Sequence, residues 1–313
     1  MRLLSAELRK LNRPLLWGVM LAAALFGVLL AVGGAGNAHR DVAEVSAQRI
    51  PSCADMGMPE GAACAGLRAR FAERRTQSLV AAEHTAAQLD PVAAGAEAAG
   101  LMASLPGALA LALLAGGHVG GEWSGRTLKN VLTQCGHRPR VLAAKLLSLW
   151  LAGIGLIAAC WAALAVTGPV LIRVDRLPHA SEPIAGAATW AGSQIGRALL
   201  VLAVFSAIGV LAAVCTRGTI GTMATTAGIF IVLLVTAALP GTGRWTPATW
   251  VQGWMGFGAG LRSVTTLPDN FWSRFINADR SPPGHLLGGA GLTATMLVCV
   301  AVAVLLFRRA DVA

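Results

Sequence analysis

The sequence predicts an all-α polytopic membrane protein with six transmembrane helices and both termini in the cytoplasm. Three observations carry this. The 313 residues are 55% hydrophobic and only 13% charged, against about 25% charged in an ordinary soluble domain. Mean hydropathy is +0.64. Six apolar runs approach the ~20 residues a helix needs to cross a hydrocarbon core. Helices satisfy their own backbone groups in lipid, so apolar runs of this length read as spans.

The runs are 15–35, 98–118, 140–169, 194–214, 219–239 and 286–307, in one transmembrane domain covering 1–313. The first follows a basic start, as a signal peptide would, but it exceeds the ~7–15-residue core of one and reads as an uncleaved span. The third is the longest and either tilts or ends before Pro169. Cys215-Thr216-Arg217-Gly218 leaves only a tight turn between the fourth and fifth.

Orientation follows from the short flanks. Arg2, Arg9, Lys10 and Arg13 precede the first span. Arg126, Lys129, Arg138, Arg140 and Lys145 surround the 119–139 loop, Arg217 marks the 215–218 turn, and Arg308 and Arg309 end the last span. With six spans these flanks share one side, and excess Lys and Arg marks the cytoplasm. The formal charge of +10 thereby reads as membrane orientation, not nucleic-acid binding.

The external loop 36–97 has six arginines against eight acids, and at about 60 residues it is long enough to escape the positive-inside rule. Its Ala-rich part, 64–90, predicts an external helix or two. Cys53 and Cys64, isolated on an oxidising face, are candidates for a disulfide, the alternative being two free thiols. The loop 240–285 holds Trp245, Trp250, Trp254, Phe257, Phe271 and Trp272 among Gly and Pro. That density predicts interfacial or re-entrant helices on the outer face.

Several chemistries are excluded by motif. No Gly precedes Lys10, Lys129 or Lys145, so there is no phosphate loop of the G-K-[ST] kind and no ATPase site in this chain. Zinc-protease and Ser-hydrolase motifs are absent. Cys135 and His137 do not make a metal site. No acid falls firmly inside an expected span, which argues against ion-coupled transport. Arg197 has two readings. A fourth span starting near Ala187 puts it at midplane, facing a pathway. A start near Ala198 leaves it reaching the outer headgroups.

Two cytoplasmic elements complete the pattern. Residues 1–13 predict an interfacial helix with Leu4, Leu8 and Leu11 on one face and Arg2, Arg9 and Arg13 opposite. Residues 124–135 predict a short helix with the apolar stripe Leu128, Val131 and Leu132. Glu122 and Arg126 are spaced to pair, and Gly136 and Pro139 suit the stop and the next start.

Glu122, Trp123, Thr127, Lys129, Val131, Leu132, Arg138 and Lys145 resemble the segment after the second span of export-type (ABC type 2) transporter permeases. The likeness is specific over about 25 residues and architectural elsewhere. Arg126 stands where the family has a glycine, and Gly136-His137 where it often has Pro-Ser. The resemblance implies a coupling helix at 122–138, with Glu122, Arg126, Thr127, Leu128, Lys129, Val131, Leu132 and Arg138 facing the partner. That partner is a separately encoded cytoplasmic ATPase, in two copies, holding the ATP and Mg2+. A second permease subunit, most simply a homodimer, completes the complex in a bacterial inner membrane. Its cargo is a hydrophobic or amphipathic small molecule. The rival readings are a membrane scaffold, immunity or sensor protein, and a carrier or channel that needs no ATPase.

Overall fold

The computed structural model describes residues 2–47, 50, 52–125, 127, 128, 133, 137–177, 186–238, 246–256 and 284–309. Every regular element among them is a helix: α1 (Arg2–Leu11), α2 (Pro14–Ala47), α3 (Ala62–Gln88), α4 (Ala94–Met102), α5 (Leu105–Ala115) with a π-turn (Gly116–Gly120) and α6 (Gly121–Ser124) continuing it, α7 (Arg138–Val174), α8 (Ala187–Thr216), α9 (Thr219–Ala238), α10 (Pro247–Met255) and α11 (His285–Arg309). Four of these, α2, α7, α8 and α11, are long and apolar enough to cross a membrane, or five spans if α4 and α5–α6 are one bent span. The chain is a multi-pass helical membrane protein by this measure.

Among the described residues five of the six expected runs are each found as one helix, with different limits. The 15–35 run continues without a break to Ala47, because no proline interrupts it before Pro51. The third runs through Pro169 to Val174. Its 37 residues extend about 55 Å at 1.5 Å per residue, well beyond a ~30 Å hydrocarbon core. The apolar part of α9 among the described residues, Thr219–Leu233, is shorter than a span.

The 98–118 run is not one straight helix. It bends by 59° between Met102 and Leu105. Ser104 is extended and Pro106 opens α5, and Pro has no N–H to carry the preceding helix onward. The bend folds the Met102 carbonyl onto Gly107, where any Cβ would overlap it. This element also carries two buried acids. Glu97 on α4 is 4% exposed, and Glu122 lies on the same broken pair.

α8 is the central staff, with 72% of its most apolar window buried, against 17% for α11. Leu202 meets Gly153 of α7, and Phe205 meets Phe230 of α9 edge to face at 5.1 Å, a geometry that adds to area burial. Trp150 and Trp254 donate their indole N–H groups to the Leu199 and Arg197 carbonyls of α8 at 2.9 Å. At one end of the bundle α2 and α3 pair, Cys53 and Cys64 are joined by a disulfide, and His39 reaches the Asp175 carbonyl at 2.6 Å. Of the aromatic loop 240–285, α10 is described; Trp245, Phe257, Phe271 and Trp272 lie outside the described residues.

Candidate functional site: a closed ring of charge under the N-terminal helix

The opposite end of the bundle gathers Lys10, Arg138, Lys145, Arg217 and Arg308. Arg138 donates to the Arg308 carbonyl at 3.0 Å, satisfying an orphan acceptor at the end of α11. Trp123 meets Phe307 edge to face at 6.1 Å, and Arg217 stands over the Trp123 ring at 5.5 Å, a cation–π distance. Ser124 hydroxyl is 3.1 Å from that of Thr219. The end of α11, the α5–α6 end, the start of α7 and the α8–α9 turn are therefore one surface.

At its centre four charged groups form a closed ring of alternating sign. Lys10 Nζ lies 3.0 Å from Glu7 and 2.9 Å from Glu122. Lys145 Nζ lies 2.9 Å from Glu7 and 2.7 Å from Glu122. Each carboxylate thus sees both ammoniums. A lysine suits this position, because its compact ammonium has three donors to divide between two acids, whereas arginine presents a planar fork. Two of the three lysines in the chain are used here.

Three sequence-distant elements supply the ring. α1 brings Glu7 and Lys10, three apart and so on one helical face. α6 brings Glu122, and the first turns of α7 bring Lys145. The π-turn packs one extra residue into its loop, a distortion that often marks functional positions. It carries His118, whose Nε2 is 3.1 Å from Ser148 Oγ and 3.3 Å from Glu7 Oε2. Ser148 spends its only proton on the Lys145 carbonyl at 2.8 Å. The proton between His118 and Ser148 therefore belongs to His118 Nε2, which also donates toward Glu7.

The ring is dry. Glu7, Lys145 and Ser148 are 0%, 1% and 0% exposed. Burial by itself would raise the Glu7 carboxyl, but the His118 hydrogen bond and the Lys145 and Lys10 ammoniums outweigh it. They hold the group well below the usual carboxylate range. For Lys10 burial works downward, and the hydrogen bonds to Glu122 and Glu7 raise it above the ordinary lysine range. No group of three or more His, Cys, Asp or Glu suited to a metal occurs among the described residues.

The expected site residues divide three ways. Glu122, Thr127 and Arg138 sit on this surface, Thr127 donating its N–H to the Glu122 carbonyl at 3.1 Å. Leu128 is corrected: it is 2% exposed within the chain's own core, so it has no face left for a partner. Arg126, Lys129, Val131, Leu132, Cys135 and Gly136 lie outside the described residues, and with them most of the expected 124–135 helix. The expected Glu122–Arg126 pair involves a residue outside the described ones; among the described residues Glu122 lies between Lys10 of α1 and Lys145 of α7.

The N-terminal helix is corrected too. Its inward stripe is Leu3, Leu4, Glu7, Lys10 and Leu11, while Leu8 is exposed beside Arg9 and Arg13. Glu7 and His118 are the functional candidates that sequence reasoning missed. Glu7 is the only acid before residue 41, and it shares a helical face with Leu3, Leu4 and Leu11. An acid in the middle of an apolar stripe was the available signal.

Arg197 is half-buried on α8, beside the α10 turn at Gly256. It lies 19 residues from Thr216, the last residue of α8, or about 28 Å.

The fold and the ring define a class, a multi-pass helical membrane protein with a charge-locked N-terminal helix. Comparison with known protein families, curated proteins and solved structures found no match to this chain.

Proposed function

We propose that this chain is the membrane permease subunit of an ATP-driven exporter. It would carry a hydrophobic or amphipathic small molecule out of the cytoplasm or inner leaflet, with ATP and Mg2+ held by a separate cytoplasmic ATPase. The end that gathers the basic flanks is then the cytoplasmic face. The observation that carries the reading is the ring of Glu7, Lys10, Glu122 and Lys145. It fastens the N-terminal helix and the 121–124 segment to the root of α7, a helix that runs through the bundle. A push delivered to the surface elements by a closing ATPase would pass into α7 through charged contacts that have no slack. The resemblance of 122–145 to the permease segment agrees with this placement.

The test is purification of the tagged chain from its native membrane, identification of any ATPase that accompanies it in a fixed ratio, and reconstitution of both in liposomes. ATP-dependent movement of a hydrophobic fluorescent substrate is expected. A chain that purifies without an ATPase, or moves substrate equally well without ATP, contradicts the proposal.

A second reading rests on Glu97. A buried carboxyl on a bent helix pair is the kind of group that ion-coupled carriers place in the membrane. Flux that follows an imposed proton gradient in the absence of any ATPase, and that Glu97→Gln abolishes, favours a carrier.

A further inference from the structure

The inward turn of Glu7 has a consequence for the opposite face of α1. It removes the helix's only acid from the surface and leaves Arg9 and Arg13 exposed together with Leu8 and Asn12. Among the described residues neither arginine forms an ion pair. Asn12 continues the helical turn through its N–H bond to the Leu8 carbonyl at 3.0 Å. Pro14 then starts α2, with its fixed φ suited to a first helical position.

Across this elbow Trp17 donates its indole N–H to the Asn12 side-chain oxygen at 2.7 Å. The ring itself is 62% exposed. Below it on the same face of α2, at helical spacing, stand Leu21, Leu25 and Leu29, all exposed. The surface therefore reads, in order, two unpaired cations, an indole with its polar edge satisfied, and a row of leucines one after another along a membrane-crossing helix. Indoles of this kind sit at headgroup level, and the leucine row lies where acyl chains run.

We infer that the elbow between α1 and α2 is a docking site for an anionic phospholipid, with Arg9 and Arg13 at the phosphate and Trp17, Leu21 and Leu25 along an acyl chain. A soluble acidic partner would match the cations and leave the leucine row uncovered. A zwitterionic lipid would match the leucines and gain little from the cations. A lipid with net negative charge uses both. The inference rests on α2 crossing a bilayer and not on the exporter reading, so either can fail without the other.

The experiment uses the full-length chain in neutral detergent micelles, supplied with phosphatidylglycerol or phosphatidylcholine of identical chains. Bound lipid is counted by native mass spectrometry. The wild type should retain phosphatidylglycerol in preference. Cations near an anionic lipid surface act additively, so Arg9→Gln with Arg13→Gln should reduce the preference by about tenfold or more. Arg308→Gln with Arg309→Gln, at the same end of the bundle, should leave it intact. Equal retention of the two lipids, an undiminished preference in the first variant, or its loss in the second overturns the site. If the first variant does not fold, photoactivatable phosphatidylglycerol is applied to the wild type. Crosslinks within residues 2–25 are expected, and crosslinks confined to other segments overturn it equally.

Discussion

Glu7 and Lys145 are 138 residues apart in sequence and 2.9 Å apart in the fold. The contact fixes α1 against α7 and is closed into a ring by Lys10 and Glu122. Removing one partner of a buried pair leaves the other charge desolvated and uncompensated, which costs on the order of 3–5 kcal/mol. Glu122 remains beside Lys145, so Glu7→Gln should destabilise by roughly 3 kcal/mol, the lower end of that range. Thermal unfolding in detergent measures it. A double-mutant cycle with Lys145→Met should show the two changes to be strongly non-additive. Additive losses would mean that the contact does not hold α1.

The ring also sets a pH dependence. The Glu7 carboxyl is depressed in the folded chain, so its contribution is full above the ordinary glutamate value near ~4.3 and is lost as pH falls through the depressed value. The Lys10 ammonium is raised, so its contribution is full below the ordinary lysine value near ~10.4 and is lost as pH rises through the raised one. Lys10 is a third exposed in its side chain, and water screens its share. The acid limb should therefore dominate. Wild-type stability should fall below about pH 4, and Glu7→Gln should flatten that fall while leaving the alkaline side nearly unchanged.

α10 lies against α11 through glycine. A Cβ on Gly288 would stand 2.7 Å from the Trp250 carbonyl oxygen and 2.8 Å from the Trp254 nitrogen. Both are backbone atoms of a packed helix, which cannot swing aside as a side chain could. Gly288→Ala should then destabilise by roughly 1–3 kcal/mol, as other overpacking changes do. Gly196→Ala, on α8, meets nothing within 4 Å and should be neutral or stabilising through helix propensity. Equal melting temperatures for the two variants would place α10 away from α11.

The disulfide predicts a labelling pattern. In unreduced, alkylated protein Cys53 and Cys64 should carry no label, and Cys160, Cys215 and Cys299, free in the fold, should take it up once denatured. Reduction should lower stability by roughly 3 kcal/mol if loop closure acts through the unfolded chain. Label on both Cys53 and Cys64 would contradict the pairing.

The helices were legible in the sequence because hydropathy is a local property, and the apolar cores of α2, α7, α8 and α11 fall within the expected runs. Their ends were less legible. The first span helix continues through the polar segment 36–47 after the apolar run has stopped, with no proline to end it. The bend at Ser104 had its signal in Pro106, which hydropathy alone passes over. The ring was half legible. Glu122 and Lys145 stood out through their segment, but their partners Glu7 and Lys10 are set by where α1 folds back. The Glu122–Arg126 spacing on one helix gave no sign of the two lysines that reach Glu122 from α1 and α7. Leu128 shows the same limit in reverse, since an apolar stripe cannot say whether it faces its own chain or another.

The central claim is that the ring carries motion from an ATPase into the spans, and Glu122 is its member within the expected coupling segment. The most direct test measures ATP hydrolysis and substrate export side by side in proteoliposomes holding the permease and its ATPase. The predicted result for Glu122→Gln is an assembled complex that hydrolyses ATP at a near-normal rate while export per ATP falls by about tenfold, as expected if a contact made during the conformational step is lost. Export per ATP equal to the wild type, with Glu122→Gln folded and assembled, would contradict it.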